Sequence, residues 1–353
     1  MLIYLIRHAH PKALDGERRC ISQTDLPLDA LGEMQARRLG EWMKNHPVQA
    51  VYTSPLQRAR QTAALMTERQ TPVLSDERLT EMRVGAWEGL SFAEISEQWP
   101  DLYALRGQHM GTTAPPNGES FLAAGQRLQD FFMHLSNTKG NIAVVSHGGI
   151  VRGWLCPLLS VSPDEVLTIP QPWGGVTTVR MENDHFSVLS VGEMPFPVPN
   201  EAEISALYAL YDTPPEVQAH CRAVADCALR IAEQSPIPLE RDVLYAAALL
   251  HDLCRTAGRE HPKKAAKVLA SLGYPRLADS VSRHHDLGAA PSDEAEVLSL
   301  ADKLTQGASP VSLQTRFEQS KRKCLDEQAL AAWQRRYDEA LALERKYLHG
   351  RVL

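Results

Sequence analysis

The sequence predicts two domains of different class, an α/β domain with a largely parallel sheet and, after it, an all-α domain. Up to about residue 193, short runs of strand character alternate with segments of helical periodicity, which is typical of layered α/β folds. After a proline-rich segment the strand signals disappear and apolar residues recur at helical spacing. The length of 353 residues exceeds that of one typical domain and favours this division.

The first predicted domain covers residues 1–193. Its strands are predicted from short apolar runs rich in β-branched and aromatic residues, which read MLIYLI, VQAVYTS, NIAVVSH and VTTVRM. Its helices are predicted from apolar residues at positions i, i+3 and i+4 in LGEMQARRLGEWMKNH, QRARQTAALMTER and SFLAAGQRLQDFFMHLSN.

The second half is predicted to be entirely helical. The segment GEMPFPVPNEAE carries three prolines within five residues, and it predicts a linker over 194–212. Helical periodicity then covers 213–325, and a charged amphipathic helix over 326–353 is expected to pack on the bundle or on a partner.

Composition limits the functional classes. The net charge is −6 and acidic residues outnumber basic ones in both halves, so no nucleic-acid surface is expected. The six cysteines include no CxxC pair, which indicates a reducing compartment. With no leader pattern and no apolar run near 18 residues, the sequence predicts a soluble cytoplasmic protein without a membrane partner.

Two predicted strands of the first domain end in histidine. His8 follows the first strand and His147 follows the strand NIAVVS, while the strand AVYTS delivers Arg58 onto the next helix. Active residues of open α/β sheets gather at the carboxyl ends of strands, so these groups are expected to converge if their strands are neighbours. Arginine binds phosphate oxygens bidentately and a neutral histidine can attack phosphorus, which predicts a phosphate site. Arg60 and Arg152 are interpreted as solvent-facing or helix-face charges, with lining of the phosphate pocket as the alternative.

Four segments around these residues occur in a characteristic order. They read RHA at residues 7–9, TSPLQRARQTA, LTEMRVGAWEGLS and VVSHGGIVR. With them the first domain resembles the histidine phosphatase superfamily, in its phosphoglycerate mutase-like branch and closest to the α-ribazole phosphatase type. The resemblance implies a phosphoglycerate mutase-like α/β three-layer sandwich and no cofactor.

The resemblance also implies catalytic roles. His8 would be the nucleophile that forms a phosphohistidine, Arg7 and Arg58 would bind the phosphoryl oxygens, and His147 would complete the cage. Glu81 would protonate the leaving oxygen and then activate water.

Further positions are implied to lie on the substrate side, and two depart from the family pattern. Arg19, Ser22 and Gln23 are expected to contact substrate. Ala9 stands where the family usually has glycine, and Leu14 stands where an asparagine is common. Because Leu14 removes a polar phosphate contact, activity is expected to be weaker or directed at another substrate.

The second half concentrates histidines and aspartates at helical positions. In LLHDLC, His251 and Asp252 follow an apolar helical run, and Asp302 lies on an otherwise apolar turn of LSLADKLT. A buried, unpaired carboxylate is costly, so a cation or a hydrogen-bond partner is expected. Mixed histidine and carboxylate ligands suit Mn, Fe, Zn or Mg.

This half resembles the HD-domain metal-dependent phosphohydrolases, whose pattern is H…HD…D. The resemblance implies four metal ligands, His220, His251, Asp252 and Asp302. It also implies a possible second ion, for which the candidates are His261, His284 and His285. Arg255 stands where a substrate-side lysine is common in the family. The cofactor is expected to be one or two divalent ions of Mn, Fe, Zn, Mg or Ni.

The sequence thus predicts a bifunctional phosphohydrolase. One domain would hydrolyse phosphomonoesters without metal, and the HD domain would hydrolyse a nucleotide-type phosphate ester with metal. The expected partners are small phosphorylated metabolites or nucleotides. The alternative is that one domain is catalytically silent and senses a nucleotide to regulate the other. A purely structural interaction protein would leave both groups of residues unexplained.

Overall fold

The structure is a computed structural model, and it describes residues 1–14, 19–135, 138–322 and 324–349. The chain forms two compact units, Met1–Pro195 and Phe196–Leu353. The division falls two residues beyond the predicted end of the first domain. No helix in the described part of the chain is long and apolar enough to cross a membrane.

The first unit contains a six-stranded sheet with helices on both faces. The strands are β1 (Leu2–Arg7), β2 (Ala50–Thr53), β3 (Val73–Ser75), β4 (Ile142–Ser146), β5 (Val176–Glu182) and β6 (His185–Glu193). The α-helices are α1 (Ala30–Met43), α2 (Gln57–Met66), α3 (Phe92–Gln98), α4 (Pro100–Gln108), α5 (Phe121–Met133) and α6 (Gly148–Leu158). Three short 3₁₀ helices cover Glu77–Leu79, Gly85–Trp87 and Pro163–Thr168.

The sheet is mixed, with a parallel centre. Its order is β3-β2-β4-β1-β5-β6, and β3, β2, β4 and β1 run parallel to one another. β5 and β6 extend it as antiparallel strands. The predicted α/β class is therefore confirmed.

Both faces of the central strands are covered, as in a three-layer sandwich. Side chains alternate along a strand, so each strand supplies two cores. Ile3, Leu5, Ile142 and Val144 pack in one cluster with residues of α5 and α6. Tyr4, Ile6, Ala143 and Val145 pack in the other with residues of α1 and α2.

The second unit is rich in helices, as the sequence predicts. The helices are α7 (Glu201–Leu210), α8 (Pro215–Gln234), α9 (Arg241–Leu250), α10 (His261–Ser271), α11 (Pro275–Arg283), α12 (Asp293–Lys303), α13 (Leu313–Lys321) and α14 (Glu327–Leu348). A 3₁₀ helix covers Arg255–Glu260, and a hairpin joins β7 (Thr305–Gln306) to β8 (Ser309–Pro310). α14 packs on this unit, where Lys346 donates to Asp293 at 2.9 Å and to Glu296 at 2.7 Å.

The segment predicted as a linker, 194–212, differs from that prediction because it contains α7. Asn200 and Glu203 cap the start of α7 reciprocally, which satisfies two of its free N–H groups. The helix buries Ile204 and Leu207, and the Tyr208 hydroxyl donates to the carbonyl of Leu249. The prolines just before it predicted an irregular segment, but the capping and the buried face make 201–210 part of the second unit.

Candidate active sites

The first site lies at the carboxyl ends of three neighbouring strands. β1 pairs with β4 in a register that sets Arg7 opposite Ser146, so the next residues, His8 and His147, are neighbours. Both rings are buried, with their centroids 5.0 Å apart. Arg58 enters as the second residue of α2, which follows β2. The sheet order therefore brings the two imidazoles and this guanidinium together.

His8 is held with one ring nitrogen free to act as a nucleophile. Its Nδ1 lies 2.8 Å from the carbonyl oxygen of Ala9, which can only accept, so Nδ1 carries the proton. The Nε of Arg58 donates to His8 Nε2 at 3.3 Å. Burial first, and then the charges of Arg7 and Arg58, lower the pKa of His8 well below its ordinary value. Nε2 thus keeps its lone pair at neutral pH.

This protonation state gives a pH prediction. We expect the ¹⁵N signal of His8 Nε2 to stay at its unprotonated position from pH 7.5 to pH 5.5, whereas a histidine with the ordinary pKa near 6.5 is about nine-tenths protonated at pH 5.5. Because the folded-state pKa is lowered, the unfolded chain takes up a proton below about pH 6.5 that the folded chain does not, and the first unit loses stability as the pH falls. His8→Gln identifies the signal, and titration of His8 near pH 6.5 would contradict the assignment.

Arg7 and Arg58 are fixed in place by backbone carbonyls. Arg58 donates from Nη1 to Thr24 O at 2.9 Å and from Nη2 to Ser22 O at 2.6 Å. Arg7 donates from Nη1 to the carbonyl of Gln171 and stacks over Trp173, with Cζ 4.7 Å from the ring centroid. Burial and the charge of a nearby arginine lower the pKa of Arg7 to about 9, so it remains charged at neutral pH.

His147 leaves one polar atom for a ligand. Its Nε2 lies 2.8 Å from Ser54 Oγ, while its Nδ1 is buried without a hydrogen-bond partner. Burial first, and then repulsion from His8 and Arg58, lower the pKa of His147 well below its ordinary value. A buried, unpartnered nitrogen at this position is suited to contact a phosphoryl oxygen.

Glu81 is held at the N-terminus of α6. Its carboxylate accepts from the backbone N–H groups of Gly149 at 3.0 Å, Ile150 at 2.9 Å and Met82 at 2.8 Å. Free N–H groups and the helix dipole make a helix start a good place for a carboxylate. The same helix is capped by His147, so Glu81 is brought to the side of the two histidines.

A methyl group at Gly149 is expected to displace Glu81. A Cβ there would lie 2.6 Å from Glu81 Oε1 and 2.8 Å from Cγ and Sδ of Met82, so both side chains have to shift, and the thermal midpoint checks that the unit stays folded. We expect Gly149→Ala to lower kcat for phosphomonoesters roughly 10²-fold, the scale of general acid–base catalysis. The matched control is Gly107→Ala in α4, whose Cβ would meet nothing within 4 Å. Equal kcat values for the two variants would contradict this placement of Glu81.

The three residues predicted on the substrate side are not all brought to the site. The backbone N–H groups of Ser22 and Gln23 donate to Glu88 at 3.0 and 3.1 Å, and Gln23 Nε2 donates to Glu81 O at 2.8 Å. Arg19 instead donates to Gly89 O at 2.8 Å and lies 3.5 Å from a carboxylate oxygen of Glu94, both near the surface.

Sequence reasoning missed two residues here and gave a third, Arg152, a place in the pocket only as the alternative. Glu88 orders the loop that carries Ser22, and Trp173 supports Arg7; neither has a periodicity or a spacing that would have revealed it. Arg152, interpreted as a helix-face charge, donates from Nε to Ile169 O at 2.9 Å and lies close enough to Arg7 for the two charges to repel. Arg60 is exposed, as expected.

The second site lies among α8, α9 and α12. His220 Nε2 is 3.1 Å from Asp302 Oδ1. His251 Nε2 is 4.0 Å from the same oxygen and 3.8 Å from Asp252 Oδ2. The four residues predicted as metal ligands therefore form one cluster, in which His251 and Asp252 are buried and the side chains of His220 and Asp302 are 16% and 14% exposed.

Four histidines of this unit share one orientation. Each has Nδ1 within 2.6–2.8 Å of a backbone carbonyl, so Nδ1 donates and Nε2 faces the cluster. The pairs are His220 with Gly307, His251 with Ala248, His261 with Gly258 and His284 with Val281. Ligand histidines characteristically donate the other ring N–H in this way, which fixes the tautomer.

The additional histidines adjoin the same aspartate. Asp252 Oδ1 is 2.8 Å from His261 Nε2 and 3.8 Å from His284 Nε2. His261, His284 and His285 place one nitrogen each within 4.8 Å of one another. Asp252 therefore lies between two groups that could each hold an ion.

The residues of this cluster fit a divalent cation. Nε2 of His251 and Nε2 of His284 are buried without a hydrogen-bond partner, which is costly unless a ligand uses them. Burial, with repulsion from His251, lowers the pKa of His284 to about 3, so it is neutral as a ligand must be. Although burial opposes ionisation, the hydrogen bond from His220 and nearby imidazole charge hold the pKa of Asp302 well below its usual range.

Arg255 lies against the additional group. Its Nη1 is 3.2 Å from His261 Nε2 and 3.5 Å from Asp252 Oδ1, while about half of the side chain remains exposed. A guanidinium in this position competes with a metal ion for His261.

Comparison with known proteins agrees with both halves. Residues 3–193 match the model of the histidine phosphatase superfamily (branch 1), and residues 217–307 match that of the HD domain. These matches confirm the two predicted domain types and the prediction of a phosphohydrolase.

Individual relatives each cover about half of the chain. The Bacillus subtilis protein named uncharacterized phosphatase PhoE is 28% identical and covers 46% of this chain and 79% of its own length. The structure of Bacillus stearothermophilus YhfR is 30% identical and covers 54% of this chain and 96% of its own, with a TM-score of 0.50. The α-ribazole phosphatase from Shigella flexneri is 27% identical and covers 57% of this chain and 100% of its own, with a TM-score of 0.49.

Proposed function

Because this chain belongs to the histidine phosphatase superfamily and carries an HD domain, we propose that it is a bifunctional phosphohydrolase with one catalytic centre in each unit. The first centre would hydrolyse phosphomonoesters through a phosphohistidine at His8. The second would hydrolyse a nucleotide-type phosphate ester with a divalent metal ion.

The observation that carries the first activity is the fixed tautomer of His8. Its unprotonated Nε2 points at the Arg58 guanidinium, so a phosphoryl group bound there would meet the nucleophile directly. In the proposed first step, His8 Nε2 forms a bond to phosphorus, the P–O bond to the leaving group breaks, and Glu81 gives a proton to the leaving oxygen. In the second step, water attacks the phosphohistidine, Glu81 takes the proton, and phosphate leaves.

Charge supports this chemistry without a metal. Arg7 and Arg58 are held by backbone carbonyls before substrate arrives, so little reorganisation is needed when charge moves during transfer. His147, with its unpartnered Nδ1, would contact the transferring group.

The orientation of the histidines is the observation that supports the second activity. We propose that His220, His251, Asp252 and Asp302 hold one divalent ion of Mn, Fe, Zn, Mg or Ni. A divalent ion bound there would supply an acidified water and a Lewis acid for the phosphate. A second ion at His261, His284 and His285 would require Arg255 to withdraw; otherwise Arg255 binds the substrate phosphate from this side.

The substrates are proposed by class. The first centre would take small phosphorylated metabolites, as the relatives named phosphatases do, and the α-ribazole phosphatase type remains the sequence-based proposal. The second would take nucleotides. The six cysteines, all free in the structure, support a reducing compartment, and a cytoplasmic location stays a prediction.

The alternative function, a silent nucleotide-sensing domain, rests on two departures. Leu14 is 41% exposed and provides no polar contact for phosphate, and Arg255 contacts a proposed ligand atom. If one unit binds a nucleotide without turning it over, and that binding changes the rate of the other unit, the sensing function replaces the bifunctional one.

The phosphohistidine is tested by trapping it. We expect brief incubation with a ³²P-labelled phosphomonoester in EDTA, followed by rapid quenching, to leave acid-labile, base-stable label on the wild-type protein and none on His8→Ala. His185→Ala, a change of an exposed histidine in β6, serves as the control and should be labelled like the wild type. Label that persists in His8→Ala would rule out His8 as the nucleophile.

A further inference from the structure

Arg152 lies against the phosphoryl pocket rather than on an outer helix face. It follows Gly148 by four residues on α6, and side chains on a helix lean toward its N-terminus, so Arg152 extends back over Gly148. A Cβ on Gly148 would lie 3.1 Å from Arg152 Nη1 and 3.2 Å from Arg7 Nε. Two guanidiniums therefore converge beside Gly148, the residue that follows His147.

The hydrogen bonds of these two arginines do not use all of their N–H donors. Arg152 Nε donates a hydrogen bond to the carbonyl of Ile169, and Arg7 Nη1 donates one to the carbonyl of Gln171. Arg7 Nε is buried and has no hydrogen-bond partner among the described residues. Arg58, in contrast, uses all three of its nitrogens on protein atoms.

The nearby carboxylate does not neutralise these arginines by direct contact. Both oxygens of Glu81 accept backbone N–H groups, from Gly149 and Ile150 among others. Within the described ranges, no salt bridge of 4.0 Å or less joins Glu81 to Arg7 or Arg152. Two like charges thus lie close together beside an unused donor, which is suited to an oxyanion.

The charge balance of the pocket depends on Arg152. Arg7, Arg58 and Arg152 contribute three positive charges, while His8 and His147 are neutral. A phosphoryl group near neutral pH carries about −1.5 to −2. Without Arg152 two of these positive charges would remain, and the attraction that is lost is larger for a dianion than for a monoanion.

We propose that Arg152 is a third phosphoryl-binding arginine, which with Arg7 and Arg58 makes the pocket selective for the dianion of the phosphate ester. The proposal rests on the proposed first activity.

Anion binding tests this without requiring turnover. The probes are inorganic phosphate and sulfate, measured by calorimetry on the full chain in EDTA. We expect Arg152→Gln to weaken sulfate binding at least tenfold and Arg152→Lys, which keeps the charge, to weaken it less than threefold. The matched control, Arg60→Gln on the exposed face of α2, should bind like the wild type. A merely structural Arg152 would lose its bond to Ile169 in both variants, so equal losses for Lys and Gln would overturn the proposal.

The pH dependence gives a second readout. Wild-type affinity for phosphate should rise between pH 5.5 and pH 7.5 because the phosphate dianion becomes abundant. Sulfate stays a dianion over this range, so its affinity at each pH corrects for titration of the protein. In Arg152→Gln this rise should be smaller. Wild-type-like phosphate binding by Arg152→Gln overturns the inference and leaves the proposed function standing. If the wild type binds phosphate through Arg152 but hydrolyses no phosphomonoester, the inference is supported and the catalytic proposal is overturned. A wild-type protein that binds neither anion overturns both.

Discussion

Replacement of His8 by alanine removes the EDTA-resistant phosphomonoesterase activity. We expect kcat to fall on the order of 10⁴-fold, about 5 kcal/mol in activation free energy, because no other described side chain in the pocket offers an unprotonated nucleophile beside Arg58. The measurement is phosphate release from phosphomonoesters in EDTA, with folding checked by the thermal midpoint.

The control for His8 is again His185→Ala. Within the described chain, the side chain of this exposed histidine hydrogen-bonds only to the carbonyl of Asn183. It should keep wild-type kcat. If His8→Ala retained more than a few per cent of kcat, the hydrolysis would proceed without a phosphohistidine and the first mechanism would be wrong.

Asp252→Asn removes the metal-dependent activity. Asp252 adjoins both groups of histidines, since its oxygens lie 2.8 Å from His261 Nε2 and 3.8 Å from the Nε2 atoms of His251 and His284. Loss of an outer-shell partner of a metal site costs about 10–100-fold, and we expect loss of this proposed ligand to cost more, about 10³-fold in rate. Metal content per chain should fall with the activity.

The matched control for Asp252 is Asp226→Asn, an exposed aspartate on α8 outside the cluster. Both variants keep the shape of the side chain and remove one charge. Should Asp252→Asn retain its bound metal and its rate, the site would have to be moved to other residues of the unit.

In the first site, the sequence predicted the residues that follow recognisable strand ends. His8 and His147 each follow an apolar run that ends abruptly, and both runs became central strands. Their contact depends on β1 pairing with β4, a long-range pairing that no local pattern encodes. The motif order supplied that adjacency through the family resemblance.

What the sequence missed depends on tertiary contacts. The direction of Arg152 follows from the absence of a side chain at Gly148 and from the carbonyl of Ile169 that holds it, and neither is visible as periodicity. Arg19 belongs to the expected segment but turns toward Gly89, away from the two histidines.

In the second unit the pattern H…HD…D identified the four clustered residues because three of them end or follow apolar helical runs. The tautomers could not be predicted, since they depend on carbonyls such as that of Gly307, far from His220 along the chain. The helix α7 was missed because its prolines precede it and its buried face is short.

The central claim is that one chain carries two independent phosphohydrolase centres. The most direct test is phosphate release from a panel of phosphomonoesters and nucleotides, with and without EDTA, on the wild type, His8→Ala and Asp252→Asn. The account predicts one activity that survives EDTA and Asp252→Asn but is lost in His8→Ala, and another that is lost with EDTA or Asp252→Asn and survives in His8→Ala. A single activity that both substitutions abolish together would contradict it.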